Sequence, residues 1–135
     1  MDALIIDQTE FSPKVVLDPG NKRFEFSGES RPENAGKFYE PVVKWLEGFY
    51  KELNALKTSG GITYPITIHF SLDYFNSTSA KHLLDVLKQL DLIKKAQIEV
   101  VIKWHYHEMD EDMKESGEEF SKLIEVPFEF VLRQE

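Results

Sequence analysis

Three hydroxyl side chains in a row, Ser77, Thr78 and Ser79, stand between a segment with strand periodicity and a segment with helix periodicity. Side chains of this type accept hydrogen bonds from the free N–H groups of a helix's first turn, and one of them is enough to cap a helix. A hydroxyl can also carry a phosphate, which adds about −1.5 to −2 charge at neutral pH. The stretch therefore suits reversible phosphorylation, and simple N-capping is the structural alternative.

The charges that follow distinguish this helix start from another one in the chain. After the hydroxyls come Lys81 and His82, and the first acid is Asp85. A later helix instead opens with acids at 110–112, where each negative charge near the positive end of the helix dipole contributes about 0.3–1 kcal/mol. The start at Ser77 thus offers unneutralised N–H groups and a cation to an added phosphate.

Histidines supply a second set of residues with possible chemistry. His69, His105 and His107 fall on the polar side of two predicted strands, where Asp73 or Glu108 could complete a set of N and O ligands for a metal ion. The chain has no cysteine and no helical HExxH pattern, and histidines on a solvated strand face are usually polar surface. Metal binding is therefore a minor alternative, and no cofactor is expected.

Catalysis has less support. A Ser-His-acid arrangement could be drawn from Ser77, His82 and Asp85, but five helical residues place His82 about 140° around the helix from Ser77. The chain has no G-x-S-x-G elbow and no glycine-rich phosphate loop. The carboxylates of "EMDEDMKESGEE" are typical of a solvated helix face. We expect a binding protein and not an enzyme.

The elements that position these residues alternate between strand and helix after a beginning that contains only strands. Apolar residues spaced three and four apart predict helices, and strict alternation predicts strands. Pro41 lacks an N–H, so the regular part of the first helix is expected to begin near Tyr39, with Asn34 as a possible cap. The predicted strands cover 4–7, 14–18, 23–28, 64–75, 98–107 and 126–133. The predicted helices cover 37–56, 77–94 and a segment that opens at Asp110.

Alternation also assigns faces. In the strand 64–75, Tyr74 falls on the apolar side and Asp73 on the polar side, and the apolar stripe of the third helix extends to Leu123 and Ile124. Strands joined by a helix are normally parallel, with right-handed crossovers. The sequence therefore predicts one α/β domain over residues 1–135, with a mixed β-sheet of about six strands and three helices mainly on one face.

Composition excludes several classes of protein. The formal charge of −8 and pI near 5.0 would repel a phosphate backbone, so no nucleic acid partner is expected. No apolar run approaches the roughly 20 residues of a membrane span, so no membrane partner is expected either. The absence of cysteine and of a signal-like beginning favours the cytoplasm.

Several segments in sequence order carry a family resemblance. A serine after an asparagine at the opening of a helix, Asn76-Ser77, resembles the phosphorylated position of the anti-sigma-factor antagonist (STAS) domain. The chain is more similar still to the SiaC family of bacterial regulatory phosphoproteins, from about residue 28 to residue 131. The matching segments are "GESRPENAGKFYEPVVKWL", "LDYFNSTSAKHLLDVL", "WHYHEMDEDMKESGEEF" and "VPFEFV".

The SiaC resemblance implies a STAS-like fold and a switch with several protein partners. It implies that a Ser/Thr protein kinase phosphorylates the protein, that a PP2C-like phosphatase reverses this, and that the unphosphorylated form binds and activates a diguanylate cyclase (GGDEF protein) that makes cyclic-di-GMP. The protein itself would catalyse nothing. Partner switching of the anti-sigma-factor-antagonist type is the alternative.

The resemblance also implies where the phosphate goes. The acceptor is the hydroxyl residue directly after the "YxN" asparagine, which is Ser77 here, and Thr78 is the second choice. Glu33 and Asn34, in the loop before the first helix, serve either as turn and cap or as a partner-contact loop near this position. The residues expected around the switch are Asp73, Asn76, Thr78, Ser79, Lys81, Glu33 and Asn34.

Overall fold

The computed structural model describes residues 1–134, and its elements follow the order predicted from the sequence. The strands are β1 (Leu4–Ile6), β2 (Lys14–Asp18), β3 (Arg23–Ser30), β4 (Ile66–Phe75), β5 (Val100–His107) and β6 (Phe128–Arg133). The helices are α1 (Ala35–Thr58), α2 (Ser77–Lys95) and α3 (Glu111–Ser121). Within residues 1–134, none of the helices combines the length and the apolar character that crossing a membrane requires.

The strands form one mixed sheet in the order β1-β2-β3-β4-β5-β6. The pairs β1–β2 and β2–β3 are antiparallel, and β3, β4, β5 and β6 are parallel. Each parallel pair is joined through one helix, and the sheet grows in a single direction, so right-handed crossovers place α1, α2 and α3 on the same face. The predicted α/β fold with a six-stranded mixed sheet and three helices is confirmed.

The core lies between this face of the sheet and the helices, and Trp104 of β5 is at its centre. The indole is 1% exposed, and its Nε1 donates a hydrogen bond to the Met113 carbonyl of α3 at 2.8 Å. Its ring centroid lies 5.6 Å from that of Phe70 and 5.7 Å from that of Phe120. Trp104 thus joins β4, which precedes the hydroxyl cluster in the chain, to β5 and α3, which follow it.

Gly117 of α3 provides the close approach that this packing needs. A Cβ at this position would lie 2.5 Å from Cδ1 and Nε1 of Trp104, and the buried ring has no room to retreat. We expect Gly117→Ala to lower the free energy of unfolding by about 1–3 kcal/mol, although alanine favours helix by about 1 kcal/mol. Urea unfolding followed by circular dichroism measures the change.

Gly48 of α1 offers the matched control for this substitution. A Cβ there would meet only the flexible end of Met1, at 3.2 Å, so Gly48→Ala should leave stability unchanged or raise it slightly. Equal effects of the two substitutions would show that the indole does not constrain position 117.

The predicted start of α1 near Tyr39 is wrong. The helix begins at Ala35 and contains Pro41. Asn34 is the N-cap, and its side chain accepts a hydrogen bond from the Lys37 N–H at 3.0 Å. The cap satisfies the first turn, and Ala35 and Tyr39 are buried, so these contributions offset the hydrogen bond that Pro41 cannot donate.

The predicted burial of Tyr74 is also wrong, because its side chain is 49% exposed. The pairing of β3 with β4 shifts register between Gly28 and Glu29: Gly28 lies opposite Leu72, whereas Glu29 lies opposite Tyr74. Asp73 is the extra residue, and it reverses the side to which later residues of β4 point. Phe75 therefore turns to the core and contacts Trp104.

The apolar stripe of α3 ends earlier than predicted. The helix stops at Ser121, so Leu123 and Ile124 lie beyond it, and Leu123 is 61% exposed. Bonds from Lys122 N–H to the Glu119 carbonyl and from Leu123 N–H to the Phe120 carbonyl tighten the last turn and take the chain off the helical stripe.

Candidate functional site

Ser77 is the first residue of α2, and its side chain is exposed together with that of Thr78. The residue before it, Asn76, is the N-cap, and its Oδ1 accepts a hydrogen bond from the Ser79 N–H at 2.9 Å. Capping therefore does not need any of the three hydroxyls, contrary to the simple capping explanation of the cluster. Ser77 and Thr78 present their hydroxyls to solvent at a helix start.

Ser79 has a different environment, because it is buried with no exposed surface. Its Oγ donates to the Ser30 carbonyl at 3.0 Å and accepts from the Ser30 Oγ at 2.9 Å. The Tyr39 hydroxyl lies 2.6 Å from the Ser30 Oγ and donates to it. Burial raises the pKa of Tyr39 to about 12, so the hydroxyl keeps its proton. Ser79 thus fastens the start of α2 to β3 and α1.

The loops that precede α1 and α2 meet at one end of the sheet, where the parallel strands finish. Ser30 at the end of β3 is the register partner of Phe75 at the end of β4, and the Asn76 N–H donates to the Ser30 carbonyl at 3.1 Å. The loop with Glu33 and Asn34 therefore lies at the same end of the sheet as Ser77. Both residues are exposed, with Asn34 serving as cap. This end of the sheet contains the carboxyl ends of the parallel strands, where α/β proteins commonly bind their ligands.

The charge at the start of α2 agrees with the sequence analysis. The first turn contains no acid, and the exposed Lys81 lies four residues after Ser77, on the same side of the helix. The start of α3 differs, since Glu111 and Asp112 occupy its first turn and Asp110 caps it. A negative group added at Ser77 would meet free N–H groups and one cation within a helical turn.

A shallow groove of about 180 Å³ opens beside this helix start, between α2 and α3. We name it the α2–α3 groove, and its lining residues are Phe75, Ala80, Ser116, Glu119, Phe120 and Leu123. Ala80 lies three residues after Ser77, so the groove begins within one helical turn of the exposed hydroxyl. A second hollow of about 170 Å³ shares Phe75 and Ser116 with it and also contains Tyr74.

Sequence reasoning missed the apolar part of this surface. It assigned both Tyr74 and Leu123 to the core, because each continues the periodicity of its element, yet they are 49% and 61% exposed. The bulge in β4 and the tight last turn of α3 direct these side chains outward. Neither feature can be predicted from the local sequence pattern. The exposed apolar groups lie next to the candidate phosphorylation site.

The model of the family described as "SiaC family regulatory phosphoprotein" matches residues 6–133. The chain belongs to this family. The crystal structure of apo-SiaC from Pseudomonas aeruginosa matches with a TM-score of 0.83 and 27% identity, over 97% of this chain and 99% of that one. The resemblance read from the sequence is confirmed.

Two other proteins of Pseudomonas aeruginosa are similar to the chain. A crystal structure of the diguanylate cyclase SiaD in complex with its activator SiaC, also from Pseudomonas aeruginosa, matches through SiaC with a TM-score of 0.83 and 27% identity, over 96% of this chain and 99% of that chain. An uncharacterized protein of Pseudomonas aeruginosa strain UCBPP-PA14 is 28% identical over 128 residues, which are 95% of this chain and 94% of the relative.

In this SiaC-family chain, His82 does not complete a catalytic arrangement with Ser77. Its ring stacks on that of Tyr39, with centroids 6.0 Å apart and planes 5° from parallel, and its Nδ1 is 4.0 Å from the Asp85 carboxylate. The imidazole therefore packs against α1. The arrangement has the geometry of a helix–helix contact.

Asp73 lies on the polar face of the sheet, in a cluster that crosses three strands. It is exposed and forms an ion pair with Arg133 of β6, and His107 Nε2 lies 3.7 Å from its Oδ1. Arg133 Nη1 also donates to the Ser71 carbonyl at 2.9 Å. Asp73 thus stabilises the β4–β5–β6 part of the sheet as well as lining the hollow next to Tyr74.

The three histidines proposed as metal ligands do not converge. His69 Nδ1 and His105 Nε2 are 3.0 Å apart and share a hydrogen bond, whereas His107 lies with Arg133 and Asp73. Burial lowers the pKa of both His69 and His105, and Lys103 lowers the pKa of His69 further. Within residues 1–134, no three side chains of metal-binding type are placed to hold an ion. The predicted alternative of a three-histidine metal site is not assembled.

Proposed function

We propose that the unphosphorylated protein binds and activates a diguanylate cyclase and that phosphorylation of Ser77 prevents this binding. In this proposal a Ser/Thr protein kinase adds the phosphate, a PP2C-like phosphatase removes it, and the protein itself catalyses no reaction. The observation that carries the proposal is the exposed Ser77 hydroxyl at the first position of α2, in a chain whose fold matches SiaC bound to the cyclase SiaD as its activator.

The helix start can accommodate a phosphate without losing its structure. The N–H groups of the first turn and the exposed Lys81 both favour a negative group at Ser77. The cap made by Asn76 and the bonds made by Ser79 do not involve the Ser77 side chain. We infer that modification leaves α2 folded and changes only the surface around it.

The same phosphate would be unfavourable in a docked complex. It would stand within one helical turn of the α2–α3 groove, whose apolar lining includes Phe75, Phe120 and Leu123. A partner that covers this groove removes water from its neighbourhood, and desolvating a dianion is costly unless the partner supplies cations. Glu119 at the groove adds like charge. Phosphorylation would therefore favour the free protein.

The choice of Ser77 over its neighbours rests on exposure and on position. Ser79 has no exposed surface and uses its Oγ in buried hydrogen bonds, so a kinase cannot reach it in the folded protein. Ser77 and Thr78 are both exposed. Ser77 directly follows Asn76, as the acceptor does in the family motif, and Thr78 remains the second candidate.

Mass spectrometry after incubation with the cognate kinase and ATP tests the assignment. We expect one phosphate on wild-type protein, located at Ser77, none on Ser77→Ala, and an unchanged yield on the matched control Thr78→Ala. Both substitutions remove one exposed hydroxyl from the same helical turn, so their folding should be equally affected. A phosphate on Thr78 in the wild type, or full phosphorylation of Ser77→Ala, would contradict the proposal.

A further inference from the structure

The outer side of β6 is an open sheet edge, since no other strand of residues 1–134 pairs with it. On its inner side, the Ile102 N–H donates to the Pro127 carbonyl at 3.0 Å. Backbone groups of successive residues point to opposite sides of a strand, so those of Phe128, Phe130 and Leu132 point away from β5. This edge therefore offers a row of free donors and acceptors.

The edge lacks most of the features that usually prevent pairing with another chain, although it carries the charged residues Glu129 and Arg133. Native edge strands are protected by charged side chains, lysine above all, or by proline, a bulge or short length. The six residues of β6, "FEFVLR", contain neither lysine nor proline, and their pairing with β5 has no register shift. The opposite edge, β1, is only three residues long. Leu132 is 45% exposed on this unprotected strand.

The sequence of β6 is complementary to itself in one antiparallel register. If two copies pair about Val131, Glu129 of one copy lies opposite the partner's Arg133, and the same contact recurs on the other side of the axis. Phe130 then lies opposite the partner's Leu132, and their outward backbone groups can exchange both hydrogen bonds. A register centred on Phe130 instead places Glu129 against the partner's Val131, so the contact between Glu129 and the partner's Arg133 is not formed.

Arg133 is the cation that such a contact would use, and within one copy it is bound to β4. Its guanidinium is held on the polar face of the sheet by the Ser71 carbonyl and by Asp73. Glu129 and Arg133 are four positions apart in β6, and side chains an even number of positions apart project from the same face of a strand. The guanidinium therefore points toward β4, and in the dimer Arg133 would exchange Asp73 for the carboxylate of the partner's Glu129.

We propose that two copies of this chain pair through antiparallel β6 strands, with Glu129 opposite the partner's Arg133, to form a symmetric dimer with one continuous sheet. The two-fold axis passes beside Val131, and the interface uses the same strand of both copies. This inference goes beyond the proposed function and does not depend on phosphorylation or on a cyclase.

Sedimentation velocity over a range from low micromolar to several hundred micromolar tests the dimer. We expect reversible dimerisation of the wild type and a roughly tenfold or larger rise in the dimer dissociation constant for Glu129→Arg, because two attractive pairs become repulsive. Glu118→Arg, on the exposed side of α3, makes the same charge change away from β6 and should behave as wild type. A wild type that stays monomeric throughout would overturn the proposal.

Mixing two variants tests the register. Arg133→Glu should weaken its own dimer as Glu129→Arg does, but in an equimolar mixture each introduced charge faces an opposite one. The mixture should therefore dimerise with close to wild-type affinity. No recovery on mixing, with both variants folded, would refute the pairing of Glu129 with Arg133.

If Arg133→Glu does not fold, another variant can test the β6 interface. Leu132→Lys changes an exposed side chain and places a protecting lysine on the edge, so it should also abolish dimerisation. Circular dichroism checks folding. A dimer that persists in this variant would show that another surface, not β6, joins the copies.

Discussion

Replacing Ser77 with aspartate is expected to weaken binding to the cognate diguanylate cyclase roughly tenfold or more, a loss of about 1.4 kcal/mol or more. The carboxylate would stand at the first position of α2, within a helical turn of the α2–α3 groove, whose lining also includes Glu119. Aspartate carries about half the charge of a phosphate, so the loss should be a lower limit for phosphorylation. Isothermal titration calorimetry measures the affinity, and formation of cyclic-di-GMP measures activation.

The stability of this variant separates a surface effect from an unfolding effect. A negative charge in the first turn of a helix should raise stability by about 0.3–1 kcal/mol, so Ser77→Asp should melt at or above the temperature of the wild type. Ser77→Asn is the matched control, because it has the same shape without the charge and should retain most of the affinity. Equal losses for asparagine and aspartate would indicate a steric effect, and full binding by Ser77→Asp would count against the switch.

Truncating Trp104 to alanine is expected to lower the free energy of unfolding by about 3–5 kcal/mol, which approaches the whole stability of many small domains. The ring is 1% exposed and contacts Phe70, Phe75, Phe120 and Phe128. Removal of the indole would leave a cavity and would also leave the buried Met113 carbonyl without its Nε1–H donor. Urea unfolding followed by circular dichroism gives the value.

Two comparison variants make this measurement specific. Trp45 is half-buried, and its Nε1 donates to the Asp2 carbonyl in an exposed hydrogen bond at 2.9 Å, so Trp45→Ala should cost clearly less. Trp104→Phe retains most of the volume and gives a measurable transition if the alanine variant is unfolded. A cost for Trp104→Ala no greater than that for Trp45→Ala would contradict the central role of this indole.

Local patterns in the sequence predicted the order of the elements and the helix start at Ser77 correctly, because these features depend on residues close together in the chain. The alternation in β4 and β5, the apolar spacing in α2 and the cap at Asn34 are of this kind. The prediction that residue 77 opens a helix follows from the same local signals. The structure places Ser77 at that first position, with an exposed side chain.

Features that depend on contacts between distant residues could not be predicted from the sequence. The bond between Ser30 and Ser79 joins residues 49 positions apart, so nothing near Ser79 distinguishes it from the exposed Ser77. The bulge that exposes Tyr74 arises from pairing between β3 and β4 and has no signal within β4 alone. The histidines were grouped by strand parity, which fixes a face but not the distance between side chains.

The anchoring of α2 determines what kind of signal the proposed switch can send. The Ser30 carbonyl accepts from both the Asn76 N–H, at 3.1 Å, and the Ser79 Oγ, at 3.0 Å, so the backbone beneath Ser77 is held by groups that do not carry the phosphate. Phosphorylation would then change the local electrostatic potential on a rigid surface, and no conformational change of the protein would be needed. The response time would be set by enzyme turnover and complex dissociation, with no refolding delay.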